Sequence, residues 1–183
     1  LTDNYTPAPY EFGLAKISGI TGKLIWLGQL LAGRPSKWEH AFLIVDAPDG
    51  SNTLAVLEAE PGGARLTPLS EYWDAKKGWT CAFAYPPTTA DQQAAIDRLV
   101  PKLVGVPYSW LDYISLALLH LHIRPQWVVD RVAGSKGMIC SQLVDYVYMQ
   151  AGVHFFDDGR YEGDVMPSDL DYLARQNGWF ANE

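Results

Sequence analysis

His40-Ala-Phe-Leu-Ile-Val-Asp-Ala-Pro-Asp-Gly-Ser-Asn-Thr-Leu-Ala-Val-Leu-Glu58 is the stretch on which the fold turns. Two β-prone runs, Ala41 to Val45 and Thr53 to Leu57, flank Ala47-Pro-Asp-Gly-Ser51, whose Pro, Asp and Gly supply turn chemistry, so residues 40 to 58 read as a β-hairpin. Pairing Asp46 with Asn52 around a five-residue loop sets Ile44 against Leu54, Phe42 against Val56 and His40 against Glu58. A slip of two residues would bring Glu60, which has the same parity, to the position of Glu58.

Outward from the hairpin, further strands are expected around Arg65 to Thr67 and Thr80 to Tyr85. Helical spacing marks Thr21 to Gly33, with Leu24, Leu27, Leu30 and Leu31 as its apolar stripe, and Asp91 to Val104 despite Pro101. Two apolar-striped helices follow at Trp110 to His122 and Gln126 to Val132. The next runs from about Cys140 to Ala151 and stops at Gly152; a last one, Ser168 to Gln176, is expected to be capped by Ser168 and closed by Asn177-Gly178. Strands come first and helices later, so the class is α+β, an antiparallel sheet packed by helices. Residues 1–14 are expected to form an extended arm and 15–183 a single domain, with no repeat or linker between them.

The chain has 183 residues, 48% of them hydrophobic, enough to bury a substantial core. Its formal charge of −7, without a block of Lys and Arg, argues against a nucleic-acid partner. Leu24 to Ala32, the longest apolar stretch near the start, contains Gln29, is too short to span a membrane and lies too deep for a signal peptide. The expectation is a soluble protein with no integral membrane segment and no visible address; the compartment and the oligomeric state are not encoded in these features. Cys81 and Cys140 are too few for a disulfide framework.

Cys140 begins a helix striped by Leu143, Val144, Val147 and Ala151. Unpaired N–H groups and the helix dipole favour a thiolate there and can hold a developing oxyanion. On that feature alone the commoner reading of Cys140 is the first core residue of the stripe. His40 opposite a carboxylate adds the base and orienter of a cysteine triad, against the alternative of an ordinary cross-strand charged pair. Cys81, in a strand beside Phe83 and Tyr85, reads as buried and inert. His120 and His122 are two residues apart on an apolar helix with no acidic or Cys partner, which gives no metal site, and no cofactor is expected. His154 reads as structural, and Trp38, Tyr108 and Trp110 as core aromatics or as the lining of an acceptor cleft.

Ser36-Lys-Trp-Glu-His40-Ala-Phe-Leu-Ile-Val, Val56-Leu-Glu58-Ala-Glu-Pro-Gly-Gly, Gly105-Val-Pro-Tyr108, Met138-Ile-Cys140-Ser-Gln-Leu-Val and Asp164-Val-Met-Pro-Ser-Asp-Leu, in that order, resemble the circularly permuted NlpC-type papain-like hydrolases of the YiiX-like group. The resemblance runs from about residue 15 to 173. It implies a small antiparallel sheet or half-barrel in which the His-bearing hairpin precedes the Cys-bearing helix. It also implies Cys140 as nucleophile, His40 as base and Glu58 as the third, polar position. Relatives by fold act on peptidoglycan amides, peptides or lipid acyl groups, so the implied partner is a small-molecule, peptide, cell-wall or lipid acyl substrate. An amide hydrolase working through a thioester is the first expectation; acyl transfer or lipid ester hydrolysis with the same triad is the second, and a non-catalytic binding module the third. Phe42 is bulky where such families often carry a small residue, and is expected to narrow the cleft.

Overall fold

A computed structural model describes residues 5–17, 20–31, 33–73, 80–108, 138–160 and 164–181. The strands are β1 (Phe12–Lys16), β2 (His40–Asp46), β3 (Leu54–Glu60), β4 (Gly63–Pro68) and β5 (Thr80–Ala84), and they form one antiparallel sheet in the order β4-β3-β2-β1-β5. The described helices are α1 (Ile20–Leu31), α2 (Ala90–Leu103), α3 (Cys140–Gln150) and α4 (Pro167–Asn177), with a 3₁₀ turn at Leu69–Trp73. The helices expected at 110–122 and 126–132, with His120 and His122, lie outside the described residues.

Alternation along the strands gives the sheet two buried faces. Phe12, Leu14, Ala41, Leu43, Val45 and Leu57 point to one side, where Ile96 and Val100 of α2, Leu143 and Val147 of α3 and Leu170 of α4 cover them. Phe42, Ile44, Val56, Cys81 and Phe83 point to the other, where Leu69 and Tyr72 of the 3₁₀ turn complete a smaller cluster.

The arm expected over residues 1–14 ends earlier than its boundary. β1 starts at Phe12 and is paired on both sides, to β2 and to β5, with Phe12 and Leu14 fully buried. Five residues around Gly13 carry too little alternation to announce a strand; β1 is made by its two neighbours. Phe42 does not narrow a cleft. It is fully buried, and its ring lies over Gly13 so closely that a Cβ there would stand 2.2 Å from it. The small residue this packing needs is on the neighbouring strand.

The hairpin is present, but its register is two residues from the one expected: Asp46 pairs with Leu54 and Ile44 with Val56. Asn52 has φ 52°, a left-handed conformation no strand residue adopts, and Gly50 has φ 72°. Both therefore belong to the loop, which Ala47 N–H closes onto the Thr53 carbonyl at 2.9 Å.

Helix ends show one further correction. Ser168 is not the cap of α4; the N-cap is Met166, Pro167 takes the first turn, and the Asp169 carboxylate accepts from the Met166 N–H at 2.8 Å. The closing Gly178 is left-handed at φ 65°, as its place after Asn177 predicts. α2 contains Pro101 and stops two residues later, at Leu103, and its start is held by Thr89 and Gln92 in a reciprocal capping box.

Candidate active site

The site is built where β2, β3 and α3 meet. His40 is the first residue of β2 and is 5% exposed; Glu58, on the adjacent strand, is 1% exposed. The imidazole Nε2 lies 3.0 Å from Glu58 Oε2, although continuing the observed register places Glu60 opposite His40. Glu58 is the diagonal neighbour on the same face, within reach of a long side chain. Glu60 is held by Arg65, whose Nη2 donates to it at 2.6 Å.

Glu58 is a buried carboxylate with a full set of donors. On Oε2 it takes His40 and the Tyr72 hydroxyl; on Oε1 it takes the Thr67 hydroxyl at 2.5 Å and Arg65 Nε at 3.1 Å. Burial by itself would raise its pKa. The hydrogen bond and charge of His40, with the Thr67 and Tyr72 hydroxyls, outweigh that and hold the carboxyl at about 2. Tyr72 also lies 3.2 Å from His40 Nε2, its ring parallel to the imidazole. Burial first, then the Glu58 charge, drive its phenol far above the ordinary range, so it stays a donor.

Cys140 opens α3 and is 2% exposed, in contact with His40. Burial alone would lower the His40 pKa. The charge of Cys140 and a hydrogen bond to it, followed by those of Glu58, push it up to about 10. The three residues singled out in the sequence are therefore one cluster. Cys81 is elsewhere: it sits in β5, 4% exposed, and burial pushes its thiol up to about 12. Neither cysteine is in a disulfide.

Several contacts fix the start of α3. Gln142 Oε1 accepts from the Ile139 N–H at 2.8 Å, and Ser141 Oγ donates to the Val165 carbonyl at 2.7 Å. The segment Gly105-Val-Pro-Tyr108 supplies the lateral support. Ala64 of β4 exchanges backbone hydrogen bonds with Gly105 and Val106, each 2.7 Å, and Met138 N–H donates to the Pro107 carbonyl. Gly63 is required there, since it has φ 116° and a Cβ would meet the Val106 carbonyl at 2.9 Å. The edge of the sheet is thus wired to the residue two before Cys140. Opposite, Gln29 of α1 donates to the Trp38 carbonyl at 3.0 Å and accepts from Ser168 N–H at 2.7 Å, clamping the lead-in of His40 to α4. Trp38 is 1% exposed and belongs to the core. Trp110 lies outside the described residues, and His154 is exposed.

Sequence reading missed Tyr72, Thr67 and Arg65. Thr67 and Arg65 lie in a run expected to be a strand, and parity next to Glu58 was an available signal. Tyr72 is carried by a 3₁₀ turn with no periodic pattern to place it.

No protein-family model matches the chain, and no curated protein matches it. Among solved structures it is similar to the crystal structure of metalloprotein yiiX from Escherichia coli O157:H7, at 20% sequence identity and a TM-score of 0.57. The match covers 95% of this chain and 84% of that one. The likeness at this identity is one of architecture: an α+β chain with an open five-stranded antiparallel sheet packed by helices has a fold similar to that of yiiX.

Proposed function

We propose that this protein is a papain-like cysteine hydrolase of the permuted NlpC type that cleaves an amide bond, with Cys140 as nucleophile, His40 as base and Glu58 as the orienting carboxylate. The observation that supports this reading is a single buried imidazole touching both a thiol at a helix N-terminus and a carboxylate with four donors. Nε2 is engaged by Glu58 and Tyr72, which leaves Nδ1 for the thiol proton. The resulting thiolate attacks the carbonyl carbon, and first-turn N–H groups of α3, which have no intrahelical acceptor, stabilise the oxyanion. The imidazolium then protonates the leaving amine as the C–N bond breaks, giving a thioester. His40 next takes a proton from water, whose oxygen displaces the thiolate and releases the acid.

The neighbour yiiX is described as a metalloprotein, and His40, Glu58 and Glu60 offer ligand atoms within 4.8 Å of one another. As arranged, they do not fit a cation. Glu58 has its oxygens filled by donors, and the Arg65 guanidinium bridges Glu58 and Glu60, so a metal would sit against a fixed positive charge. No step is routed through one.

The test is amine release from a panel of peptidyl aminomethylcoumarin amides and peptidoglycan peptides, together with iodoacetamide labelling of Cys140 against pH. Turnover that Cys140→Ala abolishes, with labelling well below the pH of an ordinary thiol, is the expected result. Labelling of Cys140 only in the ordinary thiol range, and no turnover in folded protein, would replace this reading with that of a binding module.

A further inference from the structure

Helix α1 turns Leu27, Leu30 and Leu31 of its apolar stripe away from the core. Its buried side carries Gly22, Ile25 and Gln29, and Gln29, 1% exposed, is the clamp to Trp38 and Ser168. Its outer side carries Trp26, Leu27, Leu30 and Leu31, exposed by 43, 43, 42 and 51%. These positions, i, i+1, i+4 and i+5, fall on one side of a helix of 3.6 residues per turn. Four large apolar side chains on one helix face form a contiguous patch, unlike the isolated exposed Tyr85, Val104 and Tyr172 elsewhere.

The charge along this stretch of the chain is also segregated. From Phe12 to Trp38 the sequence has no acidic residue, in a chain holding 21 of them, and it has Lys16, Lys23, Arg34 and Lys37, all exposed, of which Arg34 is ion-paired to Asp169. Lys23 precedes Trp26 by three positions and Leu27 by four, so it stands on the same face. An apolar stripe with an interfacial tryptophan and a cationic rim is the pattern of a helix that lies in the plane of a lipid surface.

We propose that α1 docks the protein onto an anionic phospholipid bilayer, its apolar face in the acyl boundary and the lysines at the headgroups. Two features favour lipid over an acidic protein partner: the patch is a single convex helix rather than a groove, and Lys23 stands on its face with exposed Lys16 and Lys37 in the segments that flank the helix. On the opposite, buried side of α1, Gln29 ties the helix to Trp38, two residues before His40. The proposal concerns binding and does not rest on the hydrolase reading.

The full chain is sedimented with vesicles of phosphatidylcholine and phosphatidylglycerol, and with phosphatidylcholine alone. Expected is partition onto the anionic vesicles that falls with salt, drops about tenfold in Lys16→Glu/Lys23→Glu, and drops about a hundredfold in Leu27→Ser/Leu30→Ser. Fluorescence quenching by brominated acyl chains, greater in the parent than in Trp26→Phe, is a second readout that keeps the helix intact. Absence of partition by the parent overturns the proposal, as does partition that the leucine variant retains or quenching equal in parent and Trp26→Phe. Self-association of the parent that the leucine variant dissolves, without vesicle binding, also overturns it and assigns the face to a second copy. Cys140 is unchanged throughout, so failure of vesicle binding and failure of turnover are separate results.

Discussion

Cys81 and Cys140 are both almost fully buried, at 4% and 2% exposure, yet their surroundings differ in every chemical respect. Cys81 stands on β5 in the cluster of Phe42, Phe83 and Tyr72, and burial drives its thiol up to about 12. Cys140 stands at the first turn of α3 against an imidazole that is itself held by an ionised carboxylate. On the reading proposed above, burial therefore does not sort reactive from inert thiols. What sorts them is whether a cation and a helix N-terminus meet the sulfur.

The sharpest way to break this contrast is His40→Ala. At pH 6.5, about two units below an ordinary thiol, loss of the imidazolium should lower the alkylation rate of Cys140 by about a hundredfold and leave Cys81 unchanged. Parallel losses at both cysteines would mean that the substitution had opened the fold. The His40 pKa is raised in the folded chain, so its contribution to stability is complete below the ordinary histidine value, near 6.5, and is lost as pH rises through about 10. Urea midpoints measured across that range should fall in the parent and stay flatter in His40→Ala.

Glu58→Gln comes next. It removes the charge that His40, Thr67, Tyr72 and Arg65 surround, and should cost about 2 kcal/mol in urea unfolding at neutral pH. Glu58 is shifted the other way from His40. Its contribution is present above the ordinary carboxylate value and disappears as pH falls through about 2, so parent and variant should converge in acid. A constant gap down to acid pH would point to lost packing instead. Tyr72→Phe is the smallest change, deleting one hydroxyl from the same oxygen that His40 approaches; it should cost about 1 kcal/mol, and a lower pH limit for Cys140 labelling in its absence would mean that Tyr72 does more than support the carboxylate. The expected outcome is the energetic loss with the labelling profile of Cys140 little moved.

The hairpin shows how far sequence reading reached. Alternation and turn residues are local properties, so β2 and β3 were legible, and so were the Cys140 helix and its stripe of Leu143, Val144 and Val147. The register was not, because it depended on whether Asn52 paired or turned. A two-residue error left every side chain on its correct face, which is why His40 and Glu58 still meet. β1 was missed because a five-residue strand over Gly13 is stabilised by Phe42 from the adjacent strand, a contact between residues far apart in the chain.

By itself the sequence determined what is periodic or local: an α+β class, the hairpin, the start of the Cys140 helix, the stop signals at Gly152 and Gly178, and a chain rich in acidic residues. Only the tertiary structure decided that Phe42 covers Gly13, that Glu58 rather than Glu60 holds His40, that Tyr72 arrives from a 3₁₀ turn, and that α1 turns Leu27, Leu30 and Leu31 outward. Each of these is a choice between arrangements with the same local pattern, and two of them were made by buried polar groups finding partners: Glu58 by His40, Thr67 and Tyr72, and Gln29 by Trp38 and Ser168. Hydrophobic spacing says which residues share a face; it does not say which face the rest of the chain will cover.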